Sequence, residues 1–187
     1  MTSEALDCHY SITGSGPSIF LTHGVGAAED AWRFITPKLS ENFTVITYDL
    51  RGHGRSPVTH KNFGLEELVL DLERVREKAN IDKGHFIGHS LGGMIAPAYA
   101  KKYPDKVLSV GMLSTVAGRS DDDTKKVWSV IKEMEENGVE KTLEKLITRW
   151  FTDEFIANNS ELVTRRLKQV VDTDPDVFLN VFRIYAK

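Results

Sequence analysis

Short apolar runs recur along the first part of the chain, each followed by a stretch with helical spacing. Ser18–Thr22, Phe43–Tyr48, Lys83–Ile87 and Val107–Leu113 are the four clearest runs and predict strands. Ala5–Ile12 mixes apolar and polar positions more loosely and ends at Gly14-Ser15-Gly16-Pro17, which predicts an edge strand closed by a turn. Between the runs, Leu65, Leu68, Val69, Leu72, Val75 and Ala79 fall on one helical face, so an amphipathic helix is expected from about 64 to 80. Glu29–Leu39 predicts another, its last turn made irregular by Pro37. Leu91–Tyr103 predicts a third, which stops before Pro104 and which Pro97 either kinks or leaves with a break in its hydrogen bonding. Strands alternating with helices imply a mostly parallel sheet covered on both faces. Right-handed crossovers then gather the strand C-termini along one edge, where open α/β sheets bind ligands. The loops after Thr22, Tyr48 and Ile87 should meet there.

From Asp121 onward the pattern turns purely helical. Val127, Val130, Ile131 and Met134 form one stripe, Leu143, Leu146, Ile147, Trp150 and Phe151 a second, and Leu162, Val163, Leu167 and Val170 a third. Asp174 as N-cap and Pro175 at the first helical position predict a fourth helix to Tyr185. The expected organisation is an α/β core over residues 1–118 followed by a helical cap segment over 119–187.

Composition narrows the function classes. A net charge of -3, with 41% hydrophobic and 27% charged residues, fits a globular protein and advertises no nucleic-acid partner. The single cysteine, Cys8, has no internal disulfide partner, and no zinc-type spacing of cysteine and histidine occurs. Met1–Tyr10 has no apolar h-region, and no apolar run is long enough for a bilayer. The expectation is a cytoplasmic protein with neither metal nor organic cofactor, acting away from membranes.

The candidate chemistry sits in Gly88-His89-Ser90-Leu91-Gly92-Gly93, between a predicted strand and a predicted helix. A nucleophile elbow demands this context: small residues two before and two after a serine held on a strained strand-to-helix turn. Ser90 is then the catalytic nucleophile, and the Leu91 N–H faces a developing oxyanion at the helix start. The bland alternative is a glycine-rich β-to-α turn with an incidental serine. Thr22-His23-Gly24-Val25-Gly26 follows the second strand, and a backbone N–H from this loop, assigned to Val25, supplies the other oxyanion donor. His23, Gly24 and His89 flank the same spot as candidate pocket residues, although His23 reads better as an oriented structural histidine than as a base.

Gly24-Val25-Gly26-Ala27-Ala28-Glu29, with Asp49 ending the next strand, also approaches a dinucleotide fingerprint. Glu29 stands where the third glycine belongs, and a carboxylate there repels a pyrophosphate. That reading also leaves Gly88–Gly93 unexplained. The charges of Asp49-Leu50-Arg51-Gly52-His53-Gly54-Arg55-Ser56 are expected to pair among themselves and shape the loop floor.

Together, in this order and spacing, these motifs resemble the α/β-hydrolase superfamily across residues 18–118. Within it the chain resembles the cofactor-free lactonases, esterases, C–C bond hydrolases and perhydrolases. Arg149-Trp150-Phe151-Thr152 is similar to the cap of 3-oxoadipate enol-lactonase-like proteins. The resemblance implies an α/β-hydrolase fold with a helical cap, lacking its last strands, and a serine hydrolase acting on a small carboxylic ester or lactone. A C–C bond hydrolase, a perhydrolase and a non-enzymatic small-molecule receptor of the same fold are the alternatives. Dehalogenase and epoxide hydrolase relatives use aspartate at the elbow, so Ser90 argues against them. Trp150 and Phe151 would line an apolar pocket or pack within the cap.

In this fold the triad runs serine, then acid, then histidine. The six histidines, His9, His23, His53, His60, His85 and His89, all precede Ser90. The expectation is an incomplete, weakly active or inactive chain whose partner is either a second copy or a complementing C-terminal fragment. Asp121 is a candidate acid, although Asp121-Asp122-Asp123 also suits a solvated helix start.

Overall fold

The β-branched and aromatic runs become strands whose alternate residues face opposite ways. The structure, a computed structural model, describes residues 4–187 apart from the side chains of Glu144 and Lys145. The reading that falls on residues 1–3 lies outside the described residues. The chain divides into one unit ending at Ala117 and a second spanning Gly118–Lys187.

In the first unit the strands are β1 (Tyr10–Thr13), β2 (Ser18–Thr22), β3 (Thr44–Tyr48), β4 (Gly84–His89) and β5 (Val107–Leu113). They lie in the order β1-β3-β2-β4-β5. The β2–β3, β2–β4 and β4–β5 pairs are parallel, and only β1 runs antiparallel, with Tyr10 opposite Tyr48. Phe20 pairs with Ile46 on one side and Phe86 on the other, which sets the register of the central strands.

Both faces of the central strands are covered, as the alternation predicts, whereas β5 at the end of the sheet leaves Leu108, Val110, Met112 and Leu113 exposed. On one face Ile19, Leu21 and Val45 bury Trp32, with Leu39, Phe43 and Ile87 packed around them. On the other, Phe20 stacks on Phe86 at 4.6 Å, and Phe86 meets Tyr99 at 4.4 Å. Tyr99 lies on α3 (Gly92–Lys102), which packs beside α2 (Leu65–Lys78). Buried aromatic pairs of this kind add about 0.5–1.5 kcal/mol beyond their area.

Two local expectations change, and the one for Pro97 holds as a break in hydrogen bonding. The segment Glu29–Leu39 is not one helix: it splits into a 3₁₀ turn over Glu29–Trp32 and a single turn, α1 (Thr36–Leu39). Pro37 sits in the first turn of α1, where its missing N–H costs nothing, so it starts that turn instead of spoiling its end. Pro97 lies inside a continuous α3, where it leaves the Gly93 carbonyl without its intrahelical donor. Finally, the edge strand begins at Tyr10, not Ala5. The chain before it is held by side chains, with Leu6 N–H donating to Asp71 Oδ1 at 2.7 Å and His9 N–H to Ser56 Oγ at 2.9 Å.

This anchoring buries Cys8. Burial, with the Asp71 carboxylate nearby, pushes its thiol up to about 12. A thiol so rarely ionised is a poor nucleophile. Iodoacetamide at pH 8 is expected to leave the native chain unmodified and to alkylate it stoichiometrically in urea, read by mass spectrometry.

The second unit contains α4 (Asp121–Asn137), α5 (Val139–Trp150), α6 (Asp153–Asn158), α7 (Ser160–Asp172) and α8 (Pro175–Ala186). Ser120 caps α4, and Asp174 caps α8 by accepting the Asp176 and Val177 N–H groups. Four helices are expected from the stripes; α6 is the extra one, started by Thr152 accepting the Phe155 N–H. Ile131, Met134, Leu143, Val163, Val170, Val177, Phe178 and Val181 are among its buried side chains. Among the described residues no helix is long and apolar enough to cross a membrane.

Candidate active site

The sharp turn between β4 and α3 places Ser90 at φ 54. A serine in the left-handed region is uncommon and strained, so surrounding structure must hold it there. Ser90 N–H donates to Leu113 O at 2.9 Å, and Thr115 Oγ1 donates to Ser90 O at 2.7 Å. Gly93 N–H closes the turn on the same carbonyl at 2.9 Å. Two glycines make room for the bend: a Cβ on Gly88 would overlap the Gly92 backbone, and one on Gly92 would overlap Thr22 O. The turn is therefore tied to β5 and wedged against the end of β2.

The loop after β2 closes over this bend. A Cβ on Gly24 would lie 3.0 Å from Ser90 Cβ, 3.3 Å from His89 O and 3.4 Å from His89 Nδ1. Gly24, His89 and Ser90 are thus brought together, with His89 exposed and Ser90 half-buried. Leu91 is buried and heads the first turn of α3, whose leading N–H groups lack intrahelical acceptors. Val25 is buried in the loop next to Gly24.

His23 is not a pocket wall. Its ring is 0% exposed; Nδ1 is 2.8 Å from Gly24 O, and Nε2 accepts the Leu50 N–H at 3.0 Å. The loop after β3 is equally committed. Asp49 Oδ1 accepts Glu29 N–H at 2.7 Å and Oδ2 accepts Arg55 N–H at 2.9 Å, while His53 Nε2 accepts Gly26 N–H at 3.1 Å. The loop's charges do not simply pair among themselves. Arg55 reaches Glu29, and Arg51 leaves the loop for Asp71 on α2, with Nε–Oδ2 and Nη2–Oδ1 both at 2.6 Å. These bonds also remove the dinucleotide alternative's anion cradle, because Gly26 and Glu29 N–H groups already serve His53 and Asp49.

His53, Asp49 and Arg51 carry the site's second layer. Their bonds to Gly26, Glu29 and Asp71 span 20–27 residues, so only the motif itself hints at them.

The remaining candidates belong to the second unit. Asp121 is exposed in the first turn of α4, as a solvated helix start requires. Arg166 lies over the Trp150 ring at 4.8 Å, and Phe151 stacks on Phe155 at 5.2 Å, so both aromatics have partners within that unit.

A family model described as alpha/beta hydrolase fold matches residues 17–176. Among curated proteins, 3-oxoadipate enol-lactonase 1 of Acinetobacter baylyi is 29% identical over 174 residues, 92% of this chain and 64% of its own length. Bifunctional epoxide hydrolase 2 of Sus scrofa is 30% identical over 176 residues, 87% of this chain and 32% of its own. The chain therefore spans less than two thirds of the length of these relatives. Among solved structures, the enol-lactonase from Burkholderia xenovorans LB400 superposes with a TM-score of 0.87 at 23% identity, over 98% of this chain and 72% of that one. At that identity the likeness speaks for the fold.

Proposed function

The chain belongs to the α/β-hydrolase fold family, and from that premise we propose that it carries the nucleophile of a serine hydrolase acting on small carboxylic esters or lactones. One observation carries the reading: Ser90 is held at φ 54 on a strand-to-helix bend, with Gly24 of the neighbouring loop against its Cβ. Strain at a hydroxyl-bearing residue on this bend, maintained by three hydrogen bonds, supports a group placed for use. Serine at this position also sets the chain apart from elbows that carry an aspartate.

The proposed chemistry follows from that placement. A base takes the Ser90 proton as Oγ attacks the carbonyl, and the negative charge gathers on the former carbonyl oxygen. The Val25 and Leu91 N–H groups receive that charge; a preorganised donor of this kind contributes on the order of 10²–10³ in rate. Collapse of the intermediate expels the alcohol, and water then releases the acyl group from Ser90. The base in this fold is a histidine that follows the acid along the chain, whereas all six histidines here precede Ser90. The names of the enol-lactonase relatives favour an ester or lactone as substrate.

A fluorophosphonate probe tests this, with imidazole added to stand in for the base. Peptide mapping is expected to find the label on Ser90, faster with imidazole, and none on the Ser90→Ala variant. p-Nitrophenyl acetate turnover should be slow and should fall to the buffer rate in the same variant. Label on another residue, or turnover indifferent to Ser90→Ala, would sink the assignment. Fast imidazole-free turnover that requires Ser90 would sink the missing base.

A further inference from the structure

We propose that His23 and His53 are positioning residues that act as a reciprocal pair, each fixing one of the two peptide planes that flank Val25, and so aim the Val25 N–H. The inference rests on the oxyanion role given to Val25 above.

The two loops exchange imidazoles. The loop after β2 sends His23 to the Leu50 N–H, and the loop after β3 sends His53 to the Gly26 N–H. The rings are buried at 0% and 1% exposure, with centroids 5.5 Å apart. Their protonation follows from their partners. A carbonyl oxygen only accepts, so the His23 Nδ1 facing Gly24 O and the His53 Nδ1 facing Arg51 O, at 3.0 Å, both carry hydrogen. A backbone N–H only donates, so each Nε2 offers a lone pair. Both histidines are neutral Nδ1–H tautomers, which leaves neither free to act as the base.

The consequence falls on Val25. Gly24 C=O and Val25 N–H share one rigid trans peptide and point in opposite directions. His23 Nδ1–H, at 2.8 Å, holds that carbonyl together with the longer bond from Ala27 N–H at 3.3 Å, and so turns the Val25 N–H the other way. The next peptide joins Val25 C=O to Gly26 N–H, and His53 Nε2 holds that N–H. With both planes fixed, Val25 has little freedom left in φ and ψ. The Asp49 carboxylate, accepting Glu29 N–H, clamps the loop's far end to the same support. A donor fixed before reaction needs no reorganisation during it, which is what makes such donors effective.

The test uses the 187-residue chain labelled with ¹⁵N-histidine and uniformly with ¹⁵N. Long-range proton–nitrogen spectra are expected to show His23 and His53 as Nδ1–H tautomers. His53→Leu should speed exchange of the Gly26 amide about tenfold and slow fluorophosphonate labelling of Ser90 in imidazole. His53→Gln should restore both, because its amide oxygen reaches the Nε2 position. An Nε2–H tautomer, an unmoved Gly26 amide, or a labelling rate indifferent to His53→Leu would overturn the pair's positioning role while leaving Ser90 in place. Failure of the nucleophile assignment looks different: the parent chain then labels elsewhere while tautomers and exchange still report on the lock.

Discussion

Gly88→Ala should remove at least ~3 kcal/mol of stability, the upper end of overpacking costs, and shift the urea midpoint accordingly. The added Cβ would overlap the Gly92 carbonyl and approach Gly93 N. Both are backbone atoms in the first turn of α3, so no side chain can swing away to relieve the clash. Relief requires α3 to slide off the sheet, which breaks the contact of Phe86 with Tyr99 and frees Ser90 from Leu113 O. Gly111→Ala on β5 is the control. There the new carbon meets only the Ile87 side chain, 3.0 Å away at its nearest, and a side chain can yield. That variant is expected to stay within about 1 kcal/mol of the parent. Equal midpoints for Gly88→Ala and the parent would mean that the bend is not packed as described.

The same two glycines explain why the elbow was legible in the sequence. A clash with backbone can be avoided only by omitting Cβ, so the constraint is written directly into residues 88 and 92. The parallel order was legible for a similar reason, because a continuous apolar run such as Ile19-Phe20-Leu21 suits a strand covered on both faces. Asp174-Pro175 announced α8 through the local chemistry of capping.

Pairings across long separations left no such mark. Nothing in Leu6 or Asp71 says that they meet across 65 residues, and without that bond Ala5–Cys8 looks like a strand. His23 was legible as an oriented structural histidine, but what it and His53 hold depends on which backbone N–H the other loop presents. The break within Glu29–Leu39 was hidden differently. Trp32 must reach Ile19, Leu21 and Val45, and that burial overrides the helical spacing around it. Local rules therefore marked the bend at Ser90, while the bonds that support it emerged only from the folded chain.

Arg51→Met should cost about 3–5 kcal/mol, because it strands the Asp71 carboxylate at 0% exposure. Arg51 holds both carboxylate oxygens at 2.6 Å, and its Nη2 also donates to Glu4 O at 3.1 Å and Glu67 O at 3.3 Å. One guanidinium thus joins the N-terminal segment, α2 and the loop that carries His53. The effect should depend on pH with a definite sign. Burial already holds the Asp71 carboxyl above its ordinary range, with Arg51 opposing that shift. Without Arg51 the folded-state value rises further above the unfolded one. The folded variant then binds more protons than the unfolded chain, so its stability falls as pH rises through that interval. Urea titrations should accordingly show a smaller deficit at pH 5 than at pH 8. Adding Asp71→Leu to Arg51→Met should recover part of the loss by removing the stranded charge, while the Leu6 N–H then lacks its acceptor. A single variant as stable as the parent at pH 8, or a deficit that grows on acidification, would contradict the burial of this ion pair.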